Sequence, residues 1–123
     1  MCSSDLHGDV AGAVALVVDD LIASGTTMAR VAEQLRRRDA VAVHLLATHA
    51  PFTAQAGPAL FAGGGLEPFV DSVVVTDSVA PGRLDPATTG GRLVVLSLAP
   101  LLAEALRRID SGGSISDLLQ LET

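Results

Sequence analysis

The stretch Val17-Val-Asp-Asp-Leu-Ile-Ala-Ser-Gly-Thr-Thr-Met28 carries most of the chemistry legible in the chain. An apolar run ends in two adjacent carboxylates, Asp19 and Asp20, followed four residues later by the hydroxyl-rich turn Ser24-Gly25-Thr26-Thr27. Two acceptor-only groups suit the vicinal hydroxyls of a sugar, each of which can donate one hydrogen bond. They equally suit Mg²⁺, which takes oxygen ligands and keeps several waters. The turn leads into a helical pattern, and backbone N–H groups at a helix start are unpaired and favour an anion. Gly25 permits backbone conformations closed to other residues and a close approach by a ligand. Together these residues form a phosphate cradle without a lysine, one sugar length from the acids. The combination suits ribose 5-phosphate, held in place with no evident group to attack it. The plainer reading, in which Ser24, Gly25, Thr26 and Thr27 only cap a helix, leaves the adjacent acids unexplained.

The elements that must position these residues follow from periodicity. Ala13–Val18 is a continuous apolar run, the pattern of a parallel strand buried on both faces. Met28, Val31, Ala32 and Leu35 fall on one face of a following helix, closed by Arg36-Arg37-Arg38, where cations suit the dipole. Val41–Thr48 predicts a second strand, Thr53–Ala62 a helix ended by Gly63-Gly64-Gly65, and Asp71–Thr76 a third strand. Pro81–Gly91 reads as a loop and Leu93–Leu98 as a fourth strand. Pro100 opens a helix to about Ile109 whose apolar face is Leu102, Ala105, Leu106 and Ile109. Ser114-Ile115-Ser116-Asp117 has the form of a capping box before a short terminal helix.

Strands alternating with helices predict one α/β domain, a parallel sheet flanked by helices in the Rossmann-like manner. Ligands of such sheets bind beyond the carboxyl ends of the strands. Asp19-Asp20, Thr48-His49 and Thr76-Asp77 all fall at such ends, so His49 and Asp77 are candidates for the edge of the site. For each a structural use competes: a hydrogen-bonded strand end for His49, a turn former for Asp77. His44, inside a strand, is read as structural.

Composition narrows the function classes. The chain has 123 residues, 49% hydrophobic and 2% aromatic, with a formal charge of -6. That balance argues against a nucleic-acid footprint, which needs a basic face. All eight basic residues are arginine, which removes Schiff-base chemistry and any P-loop lysine from this chain. Cys2 is the single cysteine, in keeping with a reducing, cytoplasmic setting. His7, His44 and His49 have no metal-ligand spacing with each other or with Cys2. No apolar stretch has the roughly 20 residues of a membrane helix. Met1-Cys2-Ser3-Ser4-Asp5-Leu6 resembles a translated sequencing-library adapter, so residues 1–6 are read as a non-native leader and 7–123 as the domain. An ordinary disordered N-terminus is the alternative.

The sequence Val17–Thr27 resembles the phosphoribosyl-pyrophosphate binding motif of the type I phosphoribosyltransferase fold. "GDVAG" before the first strand, "ATHAPF" after the second, "VVVTDSV" at the third and "VLSLAPLLAEALRRI" near the end resemble ribose-phosphate pyrophosphokinase, in the same order. The resemblance spans Gly8 to Leu119 and implies the C-terminal half of such an enzyme. It implies transfer of the β,γ-diphosphoryl group of ATP to the 1-hydroxyl of ribose 5-phosphate, with Mg²⁺, for nucleotide biosynthesis. It further implies that Asp19 and Asp20 contact the ribose hydroxyls and metal, and that Ser24, Gly25, Thr26 and Thr27 hold the 5-phosphate. A homo-oligomer is implied for the full-length enzyme. The family's Lys/Arg loop and most of its ATP site precede "GDVAG", so this chain alone is expected to be inactive. Ala23, Thr26 and Ala50 depart from the usual family residues, Thr26 replacing the second glycine of a pair.

Three other functions fit parts of the pattern. A phosphoribosyltransferase would use the same site with phosphoribosyl pyrophosphate as donor, although "APLLAEALRRI" argues against it. A non-catalytic relative would bind phosphorylated ribose or regulate a partner subunit. A phosphoacceptor receiver domain shares paired acids after a first strand, but needs a lysine this chain lacks.

Overall fold

The computed structural model describes residues 6–62, 69–80 and 84–120. Residues 1–5 of the adapter-like leader, the triple glycine 63–65 and the first part of the 81–91 segment lie outside them. Four strands, β1 (Val14–Leu21), β2 (Ala42–His49), β3 (Ser72–Thr76) and β4 (Leu93–Leu96), form one wholly parallel sheet in the order β1-β2-β3-β4. Helices α1 (Thr26–Arg37), α2 (Ala56–Phe61), α3 (Pro86–Thr89) and α4 (Ala99–Ser111) alternate with them. The expected parallel α/β domain is therefore present.

Strands that follow each other in space as in sequence, joined by right-handed crossovers, receive their connecting helices on one face. The core lies there. Val43, Leu45 and Ala47 of β2 and Val73 and Val75 of β3 meet Met28, Ala32 and Leu35 of α1 and Ala56, Leu60 and Phe61 of α2. The other face corrects the expectation of a strand buried on both sides. Leu16 is 64% exposed and Val18 74%, because no described element covers that side.

Element ends differ from the periodicity in instructive ways. β1 continues through both acids to Leu21, since backbone pairing with β2 carries on regardless of side-chain polarity. The 53–62 helix starts only at Ala56. Thr53 N–H is bound to the Ala23 carbonyl (3.0 Å), which ties this segment to the β1–α1 loop instead. The 81–91 segment is not all loop. Asp85 accepts from the Ala87 N–H (2.9 Å), Pro86 takes the first helical position, and Gly90 closes the turn in the left-handed region. Proline and glycine there act as helix start and stop rather than as loop formers.

The capping box at Ser114–Asp117 does not form. Residues Ser116–Leu119 make a 3₁₀ turn led by Ile115 without a side-chain cap. The Ser114 carbonyl instead accepts from Arg108 Nη1 (2.9 Å) at the end of α4. α4 occupies the expected span, but its apolar stripe is not buried. Leu106 is 66% exposed and Leu102 57%.

Arginines set the strand starts. Arg36 lies in the last turn of α1, where its charge complements the helix dipole. It also donates to the Phe69 and Val41 carbonyls (3.3 and 2.8 Å) and pairs with Asp71, whose Oδ2 accepts from the Val43 N–H (2.7 Å). Arg92 donates to the Val70 carbonyl (3.1 Å) and lies over the Phe61 ring, 5.3 Å from its centre. Leu6 packs against the core and its carbonyl accepts from Arg38.

Candidate functional site

Because all four strands are parallel and in register, their carboxyl ends meet at one edge. Asp19 stands opposite Ala47 and Leu21 opposite His49, while Thr76 stands opposite Leu96. The three polar pairs singled out by sequence are thus brought to the same edge, although they do different work there.

Asp19 and Asp20 are both exposed. Strand alternation sends successive side chains to opposite faces, so the two acids do not share one orientation. Asp19 Oδ1 accepts from the Asp20 N–H (2.7 Å), and this bond is the main cause that holds its carboxyl below the usual value. A shallow depression of about 240 Å³ joins Asp19 to Leu21, Ile22, Ala23, Ser24, Gly25, Thr27 and Met28. Asp19 also lines a neighbouring depression of about 190 Å³ with Thr48, Thr76 and apolar residues of all four strands. Asp19 is therefore the junction between the hydroxyl loop and the strand ends. Asp20 and Thr26 line neither depression.

The loop keeps the helix start open. Gly25 stands at the N-cap position with φ 75°, and no side chain caps α1. Ser24 and Thr26 hydroxyls pair with each other (3.1 Å), and the Thr26 N–H reaches Ser24 Oγ only at 3.4 Å. The first intrahelical bond runs from the Ala29 N–H to the Gly25 carbonyl (2.8 Å). Among the described residues no bond engages the N–H groups of Thr27 or Met28. Capping thus does not account for the hydroxyls, and the donors remain turned to the depression's side of α1. Gly25 has a second, unforeseen reason. A Cβ there would lie 2.6 Å from Leu60 Cγ, so the loop rests directly on α2. No local pattern identified Leu60 as that support.

His49 and Asp77 separate in role. His49 is exposed, and its Nδ1 is 2.8 Å from Ser78 Oγ. Ser78 Oγ and Thr76 Oγ1 both donate to the Thr48 carbonyl, at 3.1 and 2.6 Å. Asp77 Oδ1 accepts from the Leu98 N–H (2.8 Å), which holds its carboxyl below the usual value, helped by Ser97. That carboxylate anchors the start of α4. His44 is half-buried with Nδ1 2.6 Å from Ser72 Oγ, the structural placement expected of it. Sequence reasoning passed over Ser78 itself, although the hydroxyl-acid-hydroxyl run 76–78 was the available signal.

With Asp19 and Asp20 on opposite faces of β1, the depression offers Mg²⁺ the one carboxylate of Asp19. Among the described residues no group of three His, Cys, Asp or Glu side chains could hold a metal. That fits an ion bound by one or two carboxylates and completed by substrate phosphates and water.

The fold and site together define an α/β domain with a wholly parallel sheet whose candidate site, an acid beside an open, hydroxylated helix start, lies at the carboxyl edge of the strands. Comparison specifies the family. The chain belongs to the phosphoribosyl synthetase-associated domain family, whose model matches residues 3–120. It is 40% identical over 112 residues to a ribose-phosphate pyrophosphokinase of Vibrio parahaemolyticus, covering 91% of this chain and 33% of that protein. A putative ribose-phosphate pyrophosphokinase of Streptomyces coelicolor is 40% identical over 120 residues, covering 94% and 34%. The crystal structure of phosphoribosylpyrophosphate synthetase from Mycobacterium smegmatis superposes with a TM-score of 0.71 at 32% identity, covering 87% of this chain and 33% of that one. The chain thus spans about a third of the length of these relatives. No helix among the described residues is long and apolar enough to cross a membrane.

Proposed function

We propose that this chain is the ribose 5-phosphate-binding portion of a ribose-phosphate pyrophosphokinase, about a third of the whole enzyme's length. The whole enzyme would join the β,γ-diphosphoryl group of ATP to the 1-hydroxyl of ribose 5-phosphate. The 1-hydroxyl oxygen would bond to the β-phosphorus and lose its proton, while the bond between the β-phosphorus and the α,β-bridging oxygen breaks and that oxygen leaves with AMP, giving phosphoribosyl pyrophosphate. The observation that supports this reading most is the single depression that joins Asp19 to Ser24, Gly25 and Thr27 beside unpaired N–H groups. The 5-phosphate would accept from the N–H groups of Thr27 and Met28 and from the hydroxyls of Ser24 and Thr27. The Asp19 carboxylate would accept from a ribose hydroxyl and fix the ring at the junction with the second depression. Of the two acids expected to hold Mg²⁺, Asp19 is the one that lines the depression and would take the ion there, Asp20 lying on the other face of β1. The ion when bound would neutralise phosphate charge. Catalysis of phosphoryl transfer is largely positioning and charge neutralisation. This chain supplies the first and, lacking lysine, little of the second. ATP, the homo-oligomeric state and a cytoplasmic setting belong to this proposal as properties of the whole enzyme.

The test is calorimetric titration of the chain with ribose 5-phosphate. Binding is expected, weakened about tenfold or more by Thr27→Val or by Asp19→Asn. Lost hydrogen bonds to charged groups are worth roughly 1.5–3 kcal/mol each. No phosphoribosyl pyrophosphate is expected from the chain alone with ATP and Mg²⁺. Equal affinity in both variants would remove the site from this loop.

A further inference from the structure

We propose that Leu60 is a positioning residue for the phosphate loop: it touches no ligand, but its side chain holds Gly25 where the Thr27 and Met28 N–H groups stay presented to the depression. The inference rests on the reading of this loop as the ribose 5-phosphate site and adds to it a support from α2.

The need for a support follows from the loop's own residues. A helix start is ordinarily fixed by a side chain that bonds one of its free N–H groups. α1 has no such cap, and its N-cap residue is a glycine at φ 75°. Glycine has the most backbone freedom to lose, and the N–H groups beside it have no partner among the described residues. The Ser24–Thr26 hydroxyl pair (3.1 Å) lies within the loop and ties it to nothing else. Left to itself, such a turn would sample many shapes. An anion would then have to order it on binding, at a cost in affinity.

The support comes from the segment that follows β2. The Ile22 N–H donates to the His49 carbonyl (2.9 Å) and the Thr53 N–H to the Ala23 carbonyl (3.0 Å), so the chain entering the loop is fixed. At Gly25, two residues on, the contact is steric. A Cβ built there would lie 2.6 Å from Leu60 Cγ and 2.9 Å from each of its Cδ atoms, so the branched end of the leucine faces the glycine backbone. Leu60 is 2% exposed within the core, and α2 packs beside α1, so the side chain has no open space to swing into. Gly25 lines the depression and Leu60 does not. The leucine therefore acts through the glycine.

The experiment is calorimetric titration of the 123-residue chain with ribose 5-phosphate, well below the unfolding temperature of each variant. Leu60→Ala opens space beneath Gly25 and should weaken binding about three- to tenfold, the scale of ordering one mobile group on binding. Val73→Ala is the control, since Val73 is buried on β3 and lines neither strand-end depression. It should lower stability while leaving affinity within about twofold, as for independent sites. Leu60→Met keeps a similar volume and should keep affinity within about twofold of wild type. Backbone ¹⁵N order parameters at Ser24 and Gly25 should fall in Leu60→Ala and not in Val73→Ala. If Leu60→Ala does not fold, Leu60→Val takes its place, with order parameters at Ser24 and Gly25 below wild type as the expected result and unchanged ones overturning the inference. Equal affinity of Leu60→Ala and wild type overturns it too, as does an equal loss in Val73→Ala or in Leu60→Met, while Thr27→Val and Asp19→Asn still weaken binding; the loop reading then stands alone. Binding that is indifferent to Thr27 and Asp19 overturns the loop reading, and the inference with it.

Discussion

At the residue scale, Gly25 is required by packing against α2 as well as by its backbone conformation. Gly25 combines a left-handed backbone with a Cβ position 2.6 Å from Leu60 Cγ. Alanine there would meet both the left-handed penalty, about 1–2 kcal/mol, and overpacking of about 1–3 kcal/mol. Gly25→Ala should therefore destabilise the chain by roughly 2–5 kcal/mol in urea unfolding, by the same two effects. Leu60→Ala alone should cost about 2–5 kcal/mol as a buried truncation. The double variant should lose less than the sum of the two, because Leu60→Ala removes the collision though not the backbone strain. If the double variant were no better than additive, the close approach to Leu60 would not be the cause. Asp19 and the loop were readable in sequence because adjacent acids and a hydroxyl-glycine turn are local signals. Leu60 was not, since its role as the floor of the loop arises only when α2 packs beside α1. Asp77 shows the same gap: its carboxylate serves a backbone N–H 21 residues further on.

At the element scale, helices and strands with their own periodicity were legible, and what covers them was not. Met28, Ala32 and Leu35 are buried as the α1 pattern requires, whereas the equally clear α4 stripe is exposed. Periodicity reports that a face is apolar; it carries no information on the partner. α4 is therefore held by its ends and its own polar face rather than by burial. Glu104 accepts from Arg107 and Arg108, and these bonds lower its carboxyl from 4.5 to about 2. A depressed folded-state pKa contributes stability above the unfolded value and loses it as pH falls through the folded value. Amide protection along Ala99–Ser111 should thus be steady down to about pH 4.5 and decline toward about pH 2. Hydrogen exchange at a series of pH values, corrected for intrinsic rates, measures this. Glu104→Gln should lower protection at neutral pH and flatten the decline over that window. An unchanged decline in the variant would assign it to other carboxylates, Asp77 at the α4 start first among them.

At the scale of the whole molecule, a parallel sheet normally has both faces covered. Here α1, α2 and α3 cover one, while Val14, Leu16, Val18, Val94 and Leu96 remain exposed on the sheet and Leu102, Leu106 and Ile109 on α4. Val14, Leu16 and Val18 alternate along β1, and register brings Leu46 and Val74 beside Val18, so the sheet patch is continuous across the strands. No charged residue interrupts it between Val14 and Val18. Contiguous apolar patches of more than a few hundred Å² are uncommon on monomers and drive association. The formal charge of -6 opposes this only at long range and is screened within about 8 Å at physiological salt. The 123-residue chain should therefore self-associate with rising concentration, more strongly at high salt, in sedimentation velocity. Leu16→Lys with Val18→Lys places charges on positions already facing solvent and should shift the chain toward monomer with little change in unfolding midpoint. Leu106→Lys makes the corresponding test of the helix. If the sheet variant stayed associated while the helix variant became monomeric, α4 would be the surface that drives assembly. A monomer at all concentrations in wild type would mean that neither surface is sticky enough to matter.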